Sequence, residues 1–232
     1  MFNWRGIIQE YLLPPTCLLC GNPGYRQRDL CLVCYQQLPR NTDCCYQCAE
    51  AFVTPNIGPK VCGHCLRRRP AFDETHAPFL HDATIRYLVT RLKFNADYKN
   101  ARLLGLLLAE HVSQVAERPD IILPVPLHRS RYRERGFNQS IEIARTVSRQ
   151  LAIPLDLQTC RRQRDTPHQT GLSAKLRRKN LRQAFVLVKP LNVRHVALLD
   201  DVMTTGTTVH ELALTLKKAG VNRVDVWVCA RA

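Results

Sequence analysis

Four Cys-x-x-Cys pairs stand in series near the start of this chain: Cys17/Cys20, Cys31/Cys34, Cys45/Cys48 and Cys62/Cys65. A knuckle of this spacing turns two thiolates toward one ion. Two knuckles separated by ten or thirteen residues complete a tetrahedral four-sulfur site. Sequential pairing gives two zinc ribbons, Cys17 to Cys34 and Cys45 to Cys65. A cross-brace, with the first and third pairs on one ion, fits the spacing as well. Cys44 lies one residue too far from Cys48 to form a knuckle and is left out. The segment is poor in core apolar side chains and needs its metal to fold, so the zinc is structural, with no ligand position open for water. A disulfide framework is the alternative. It is disfavoured because the N-terminus carries no secretory signal pattern, and cytosolic thiols stay reduced.

Charge separates the chain into two parts. The formal net charge is +15 over 232 residues, yet residues 1–80 hold eight Lys/Arg against six Asp/Glu, a net of only +2. The basic excess belongs to the remainder and asks for an anionic partner. It concentrates in residues 161–182, which carry Arg161, Arg162, Arg164, Lys175, Arg177, Arg178, Lys179 and Arg182 against Asp165 alone. A second cluster, Arg129, Arg131, Arg133 and Arg135, reads as an Arg-rich turn. The expected division is a helix and zinc-ribbon module over residues 1–70 and a larger domain over 78–232.

Ahead of the first knuckle, Phe2, Trp4, Ile7, Ile8, Tyr11 and Leu12 recur at helical spacing and stop at Pro14-Pro15. Packing on the following domain is the favoured reading of this stripe, with contact at a membrane surface as the alternative. No run approaches the roughly 18 apolar residues of a membrane span. The expected location is therefore cytoplasmic, with a peripheral place at the inner face of the membrane left open.

The second part alternates helix and strand signals. Residues 82–94, 101–116, 138–151 and 208–219 read as helices. Residues 121–126, 193–200 and 223–230 read as strands, the last alternating Val224, Val226 and Val228. Strand, helix and strand in this order predict a parallel α/β sheet.

The most informative segment runs from Val196 to Val209. An apolar strand ends in Asp200-Asp201, followed by a loop of small hydroxyl residues around Gly206, then a helix. In a parallel sheet the loop lies at the carboxyl edge of the strands, where ligands sit. Backbone N–H groups at the helix start, with the hydroxyls of Thr204, Thr205, Thr207 and Thr208, suit the oxygens of a phosphate. Asp200 and Asp201 can accept hydrogen bonds from sugar hydroxyls, so a phosphorylated sugar fits the segment. No G-x-x-x-x-G-K-[ST] motif is present to support an ATP-driven motor.

This run of apolar residues, Asp-Asp, two apolar residues and Thr-Thr-Gly-Thr-Thr closely resembles the phosphoribosyl-pyrophosphate (PRPP) loop of type I phosphoribosyltransferases. The resemblance implies that Asp200 and Asp201 hold the ribose hydroxyls, that Thr204 to Thr208, Gly206 included, hold the 5′-phosphate, and that Mg2+ accompanies PRPP. It also implies that Pro124, Val125 and Pro126 form the pyrophosphate loop and that residues 161–182 form a mobile loop over the site.

The likeness extends over nearly the whole chain. The four knuckles, Leu92-Lys93-Phe94, Pro124 to Leu127, Arg133-Glu-Arg-Gly-Phe-Asn-Gln-Ser140 and the Asp-Asp loop together resemble the ComF/ComFC (GntX-like) family. Gln169, Leu172, Arg177, Asn180 and Phe185 sit as in that family's basic middle segment. The resemblance implies an α/β phosphoribosyltransferase-like domain behind the double zinc ribbon and a role in natural competence, where incoming single-stranded DNA is handled.

Three functions compete on the residues. A single-stranded DNA track would use Arg133, Arg135, Arg161, Arg162, Lys175, Arg177, Arg178 and Lys179, with Tyr132 and Phe137 as stacking partners. The bland alternatives are solvated loop charge or contacts to the charges of PRPP itself. A true phosphoribosyltransferase would need an acceptor and a general base, but His128, His168 and His195 are scattered, and the chain runs only a few residues past its last strand signal. A scaffold would use the weakly charged ribbons to dock another competence component such as a helicase. Cys160 and Cys229 read as ordinary thiols.

Overall fold

The computed structural model describes residues 14–54, 60–163 and 184–232. The apolar stripe of residues 2–12 and most of the basic segment, residues 164–182, lie outside the described residues. Two short helices, α1 (Leu32–Gln36) and α2 (Gly63–Arg67), belong to the cysteine-rich part. Two short strands follow, β1 (Glu74–His76) and β2 (Phe79–Leu80), then helices α3 (Ala83–Asn95) and α4 (Tyr98–Val115). Strand β3 (Ile121–Pro124) leads to helices α5 (Arg129–Arg135) and α6 (Gln139–Leu151). Strands β4 (Cys160–Arg162) and β5 (Phe185–Leu187) form an antiparallel pair. The chain then runs through β6 (His195–Met203), α7 (Thr207–Lys218) and β7 (Arg223–Arg231).

The main sheet is parallel, in the order β1-β7-β6-β3, with β2 continuing beside β7 after β1. This is the α/β class expected from the alternating pattern. Its central strands are covered on both faces, so they read as apolar runs. In β6, Val196 and Leu198 join the core under α7, while Ala197 and Leu199 join the core under α3, α4 and α6. In β7 the valines 224, 226 and 228 face α7, and the intervening Asp225, Trp227 and Cys229 are also buried. Alternating valines therefore mark the two faces of a central strand, not a core face and a wet one.

Local chemistry explains where the helices begin. Asp82 accepts a hydrogen bond from the Ala83 amide at the start of α3. The Asn138 side chain does the same for the Ser140 amide at the start of α6, at 2.9 Å. Gly105 lets α4 and α6 come together, since a Cβ there would lie 2.9 Å from the Ile143 carbonyl oxygen and 2.7 Å from Thr146 Cβ. Residues 129–135 form the helix α5, closed by Gly136 at φ 81°, where an Arg-rich turn was expected.

The ribbons pack on the sheet domain from both sides of its β1/β2 edge. Cys17, Leu30, Cys31 and Leu38 join the core under α4, while Ala49 joins the core under α7 with Cys44 and Cys48 against it. Arg28 donates to both carboxylate oxygens of Glu110 on α4, at 2.8 and 3.1 Å, and the Tyr35 hydroxyl donates to the same carboxylate at 3.0 Å. Asn41 donates to the carbonyls of Ala49 and Ala77, joining the second ribbon to the turn between β1 and β2.

Candidate functional site

The cysteines pair sequentially. Cys17, Cys20, Cys31 and Cys34 converge in one cluster and Cys45, Cys48, Cys62 and Cys65 in another, with the four sulfurs of each within 4.8 Å of one another. The Cys20–Cys31, Cys20–Cys34 and Cys48–Cys62 sulfurs stand 3.6 Å apart. A tetrahedral zinc site with Zn–S bonds of ~2.3 Å has sulfurs separated by about 3.8 Å, so both clusters fit the ion. Cys44 stays outside both, and burial and the neighbouring Cys45 raise its thiol pKa.

The second centre lies at the carboxyl edge of the sheet. Strands β3 and β6 are parallel neighbours with Pro124 opposite Leu199, so residues 125–126 leave β3 beside Asp200 and Asp201, while β6 continues along β7 to Met203 before the threonine loop. The Val125 amide donates to the Leu199 carbonyl at 2.8 Å, and Asn138 donates to the Val125 carbonyl at 3.0 Å. Ser140 then donates its hydroxyl to Asp200 Oδ1 at 2.7 Å. The first turn of α6 thus ties the proline loop to the carboxylate pair.

Asp200 also accepts from the Asp201 amide at 2.9 Å. Burial and the adjacent Asp201 charge push the Asp200 carboxyl up to about 7. Asp201, 3 % exposed, pairs with Lys93 at the C-terminal end of α3. Arg135 bonds Gln139, stands over the Phe94 ring at 5.9 Å, and feels the charges of both aspartates. The edge therefore sets a carboxylate pair beside two cations, an arrangement that can take sugar hydroxyls and a polyanion together.

Past the aspartates, Thr204 and Thr205 are exposed and Gly206 caps α7 at φ 69°. A side chain at Gly206 would be strained by that backbone and would approach Met203 Sδ at 3.4 Å. Thr205 and Thr207 share a hydroxyl–hydroxyl hydrogen bond of 2.8 Å, and Thr208 lies half-buried in the first turn. Thr205, Gly206 and Thr207 also face a cavity of about 460 Å³ against the second ribbon. Its other walls include Phe72, Met203, Arg68, Arg69, His64 and His210. His210 Nδ1 accepts from the Ala71 amide at 3.0 Å, and burial lowers its pKa.

The basic candidates separate in space. Arg135 is half-buried within electrostatic reach of the aspartates, while Arg133 is exposed on α5. Arg161 is exposed and Arg162 stands over Phe185 at 5.8 Å on the β4–β5 pair. Lys175, Arg177, Arg178 and Lys179 lie outside the described residues, as does His168. His128 caps α5, and His195 Nε2 lies 2.8 Å from the buried Asp225. A separate groove between α4 and α6 is lined by Tyr98, Arg102, Arg145 and Arg149. From the sequence, Asn138 reads only as the residue that opens a helix and Lys93 and Ser140 have no place in the site, although all three stand inside the Leu92-Lys93-Phe94 and Arg133–Ser140 motifs. The signal was present, but only the fold brings these residues to the aspartates.

A double zinc ribbon domain model matches residues 8–66. The chain is 34% identical over 225 residues to the DNA utilization protein YhgH of Salmonella typhimurium, covering 94% of this chain and 98% of that one. It is 35% identical to competence protein F of Haemophilus influenzae (93% and 96% covered) and 24% identical to competence protein ComFC of Streptococcus pneumoniae (93% and 99% covered). Among solved structures, glutamine PRPP amidotransferase from B. subtilis is 24% identical with a TM-score of 0.38, covering 56% of this chain and 26% of that one. A purine phosphoribosyltransferase from Pyrococcus horikoshii is 19% identical with a TM-score of 0.34, covering 56% and 72%. With two four-cysteine clusters ahead of a parallel α/β sheet, and about one third identity along nearly the full length of YhgH and competence protein F, the chain belongs to the competence protein F family.

Proposed function

We propose that this chain is a DNA-utilisation protein of the cytoplasm that holds PRPP or a related phosphoribosyl ligand and handles single-stranded DNA. The ligand's ribose hydroxyls bond Asp200 and Asp201, and its 5′-phosphate sits on Thr204, Thr205, Gly206, Thr207 and Thr208. Its pyrophosphate lies by Pro124, Val125 and Pro126, accompanied by Mg2+. The observation that carries this reading is the meeting of the carboxylate pair, the threonine loop and the proline loop at one sheet edge, tied by Asn138 and Ser140. Lys93 and Arg135 add the positive charge that a polyanion needs beside two carboxylates.

Support for the DNA role comes from the relatives named for DNA utilization and competence, and from the +13 carried by residues 81–232. Arg102, Arg145 and Arg149, with the exposed ring of Tyr98, line a groove that suits phosphates and a stacked base when Arg145 exchanges its Glu142 partner, and Arg102 its Asp29 partner, for phosphate. Arg133, Arg161, Arg162, Lys175, Arg177, Arg178 and Lys179 extend the basic surface. The ribbons, with little net charge, suit a protein partner such as a helicase.

A second reading, transfer of the phosphoribosyl group to an acceptor, is favoured by the cavity between the second ribbon and Thr205–Thr207, which has room for one. Phosphorus NMR of PRPP with Mg2+, the protein and then single-stranded DNA separates the two. Shifted or broadened PRPP signals, lost in the Asp200→Asn/Asp201→Asn protein, support binding. Pyrophosphate release above background supports transfer. Unchanged spectra with the wild-type protein overturn both.

A further inference from the structure

Buried charge also gathers at the opposite end of the sheet, where the strands begin. Glu74 and Asp225 are register partners on β1 and β7, and His76 follows two residues after Glu74 on the same face. Their ligand atoms lie within 4.8 Å of one another. His76 is 5 % exposed and Asp225 is fully buried. His76 Nε2 is buried with no hydrogen-bond partner, and Glu74 Oε1 stands 3.7 Å from it. A buried imidazole nitrogen beside the Glu74 carboxylate, in a cluster that also holds Asp225, is costly without a bond unless something sits between them.

Charge balance points the same way. Glu74, Glu117 and Asp225 all converge on Arg223, whose Nε reaches both Asp225 oxygens at 3.0 and 3.1 Å and whose Nη2 reaches Glu74 Oε2 at 2.8 Å. His195 adds a bond to Asp225 Oδ2 at 2.8 Å. Three carboxylates thus share one guanidinium. Arg223 uses Glu74 Oε2, which leaves Oε1 turned toward His76. The guanidinium competes electrostatically with a cation at this point, but it holds the carboxylates in place as an outer partner holds a metal ligand.

We propose that Glu74, His76 and Asp225 form a third divalent-cation site, distinct from the two ribbons, that takes a zinc-class ion through one imidazole nitrogen and two carboxylate oxygens. That donor set suits zinc or manganese and is harder than the all-thiolate ribbons. The ion clamps the edge strand β1, which follows the second ribbon, to β7. It supplies no step to the ligand edge, because it lies where the strands start and the aspartate pair lies where β6 ends.

The test counts ions on the full-length protein. Native mass spectrometry at saturating Zn2+ is expected to give three ions per wild-type chain and two for both His76→Phe and Glu74→Gln. Cobalt substitution reads the site without relying on the variants. The first two Co2+ ions give intense sulfur-to-metal absorption, and the third adds only weak absorption of the nitrogen–oxygen type. A wild-type count of two, a third ion with thiolate absorption, or a third ion retained in either variant overturns the proposal.

Discussion

The Ser140 hydroxyl donates to Asp200 Oδ1 at 2.7 Å and couples the first turn of α6 to the carboxylate pair at the end of β6. Asn138, two residues earlier, caps the same helix and holds the Val125 carbonyl. Two adjacent loops of the ligand edge are therefore fixed by one helix start. Ser140→Ala is expected to weaken PRPP binding about tenfold, the worth of one hydrogen bond to a charged group at roughly 1.5 kcal/mol. Titration calorimetry of both proteins with PRPP and Mg2+ checks this, and equal affinities would remove Ser140 from the site.

Asp200 trades stability for its place at that edge. Its folded pKa is raised to about 7, so the folded state holds the proton more tightly than the unfolded chain does. The associated stability is present below the unfolded carboxylate pKa, near 4, and is lost as pH rises toward 7. Asp200→Asn keeps an acceptor for Ser140 and removes the charge. It is expected to be more stable than wild type at pH 8, by on the order of 2 kcal/mol, with the difference closing by pH 4. Chemical denaturation at the two pH values measures it, while PRPP binding by the same variant falls sharply.

Between Arg28 and Glu110 the first ribbon makes a two-pronged ion pair with α4. Burial raises the Glu110 carboxyl, but the bonds from Arg28 and Tyr35 outweigh it and hold the carboxyl below its ordinary range. That stability is present above pH ~4.5 and disappears as acid protonates the folded state. Glu110→Gln should cost about 2 kcal/mol near neutral pH and progressively less below pH 4, measured by thermal denaturation with zinc held constant.

Zinc removal tests the ribbons separately. Thiol capture by a mercurial reagent should release two thiolate-bound zinc ions per chain and lower the melting temperature, because each ribbon's fold depends on its ion. Cys17→Ser should release one of them and leave the second ribbon loaded. Loss of both ions from Cys17→Ser would contradict the sequential pairing.

For the groove between α4 and α6, the expectation is electrostatic. Arg145→Ala with Arg149→Ala should weaken binding of single-stranded oligonucleotides uniformly across sequences. The slope of log affinity against log salt should fall by about 0.7 per lost phosphate contact. An unchanged slope would move the track elsewhere on the basic surface.

Much of this protein was legible in the chain itself. Cys-x-x-Cys spacing is local, so the knuckles and their metal could be read directly. The same holds for the helices over residues 82–94, 138–151 and 208–219, whose signals lie within a few residues. The short strands β1 and β2 went unread, because two or three residues carry no period. Residues 129–135 resembled a turn because their charges hide a helix with no buried face.

What local sequence determined was the set of parts: two thiolate sites, a parallel α/β succession, and a carboxylate pair running into a hydroxyl loop. Only the tertiary structure decided how they combine. It chose sequential cysteine pairing over a cross-brace, brought Lys93 to Asp201 across more than a hundred residues, and placed the second ribbon against the Thr205–Thr207 loop. Those choices depend on burial and on charges meeting across distant segments, and neither is set by the residues adjacent in the chain.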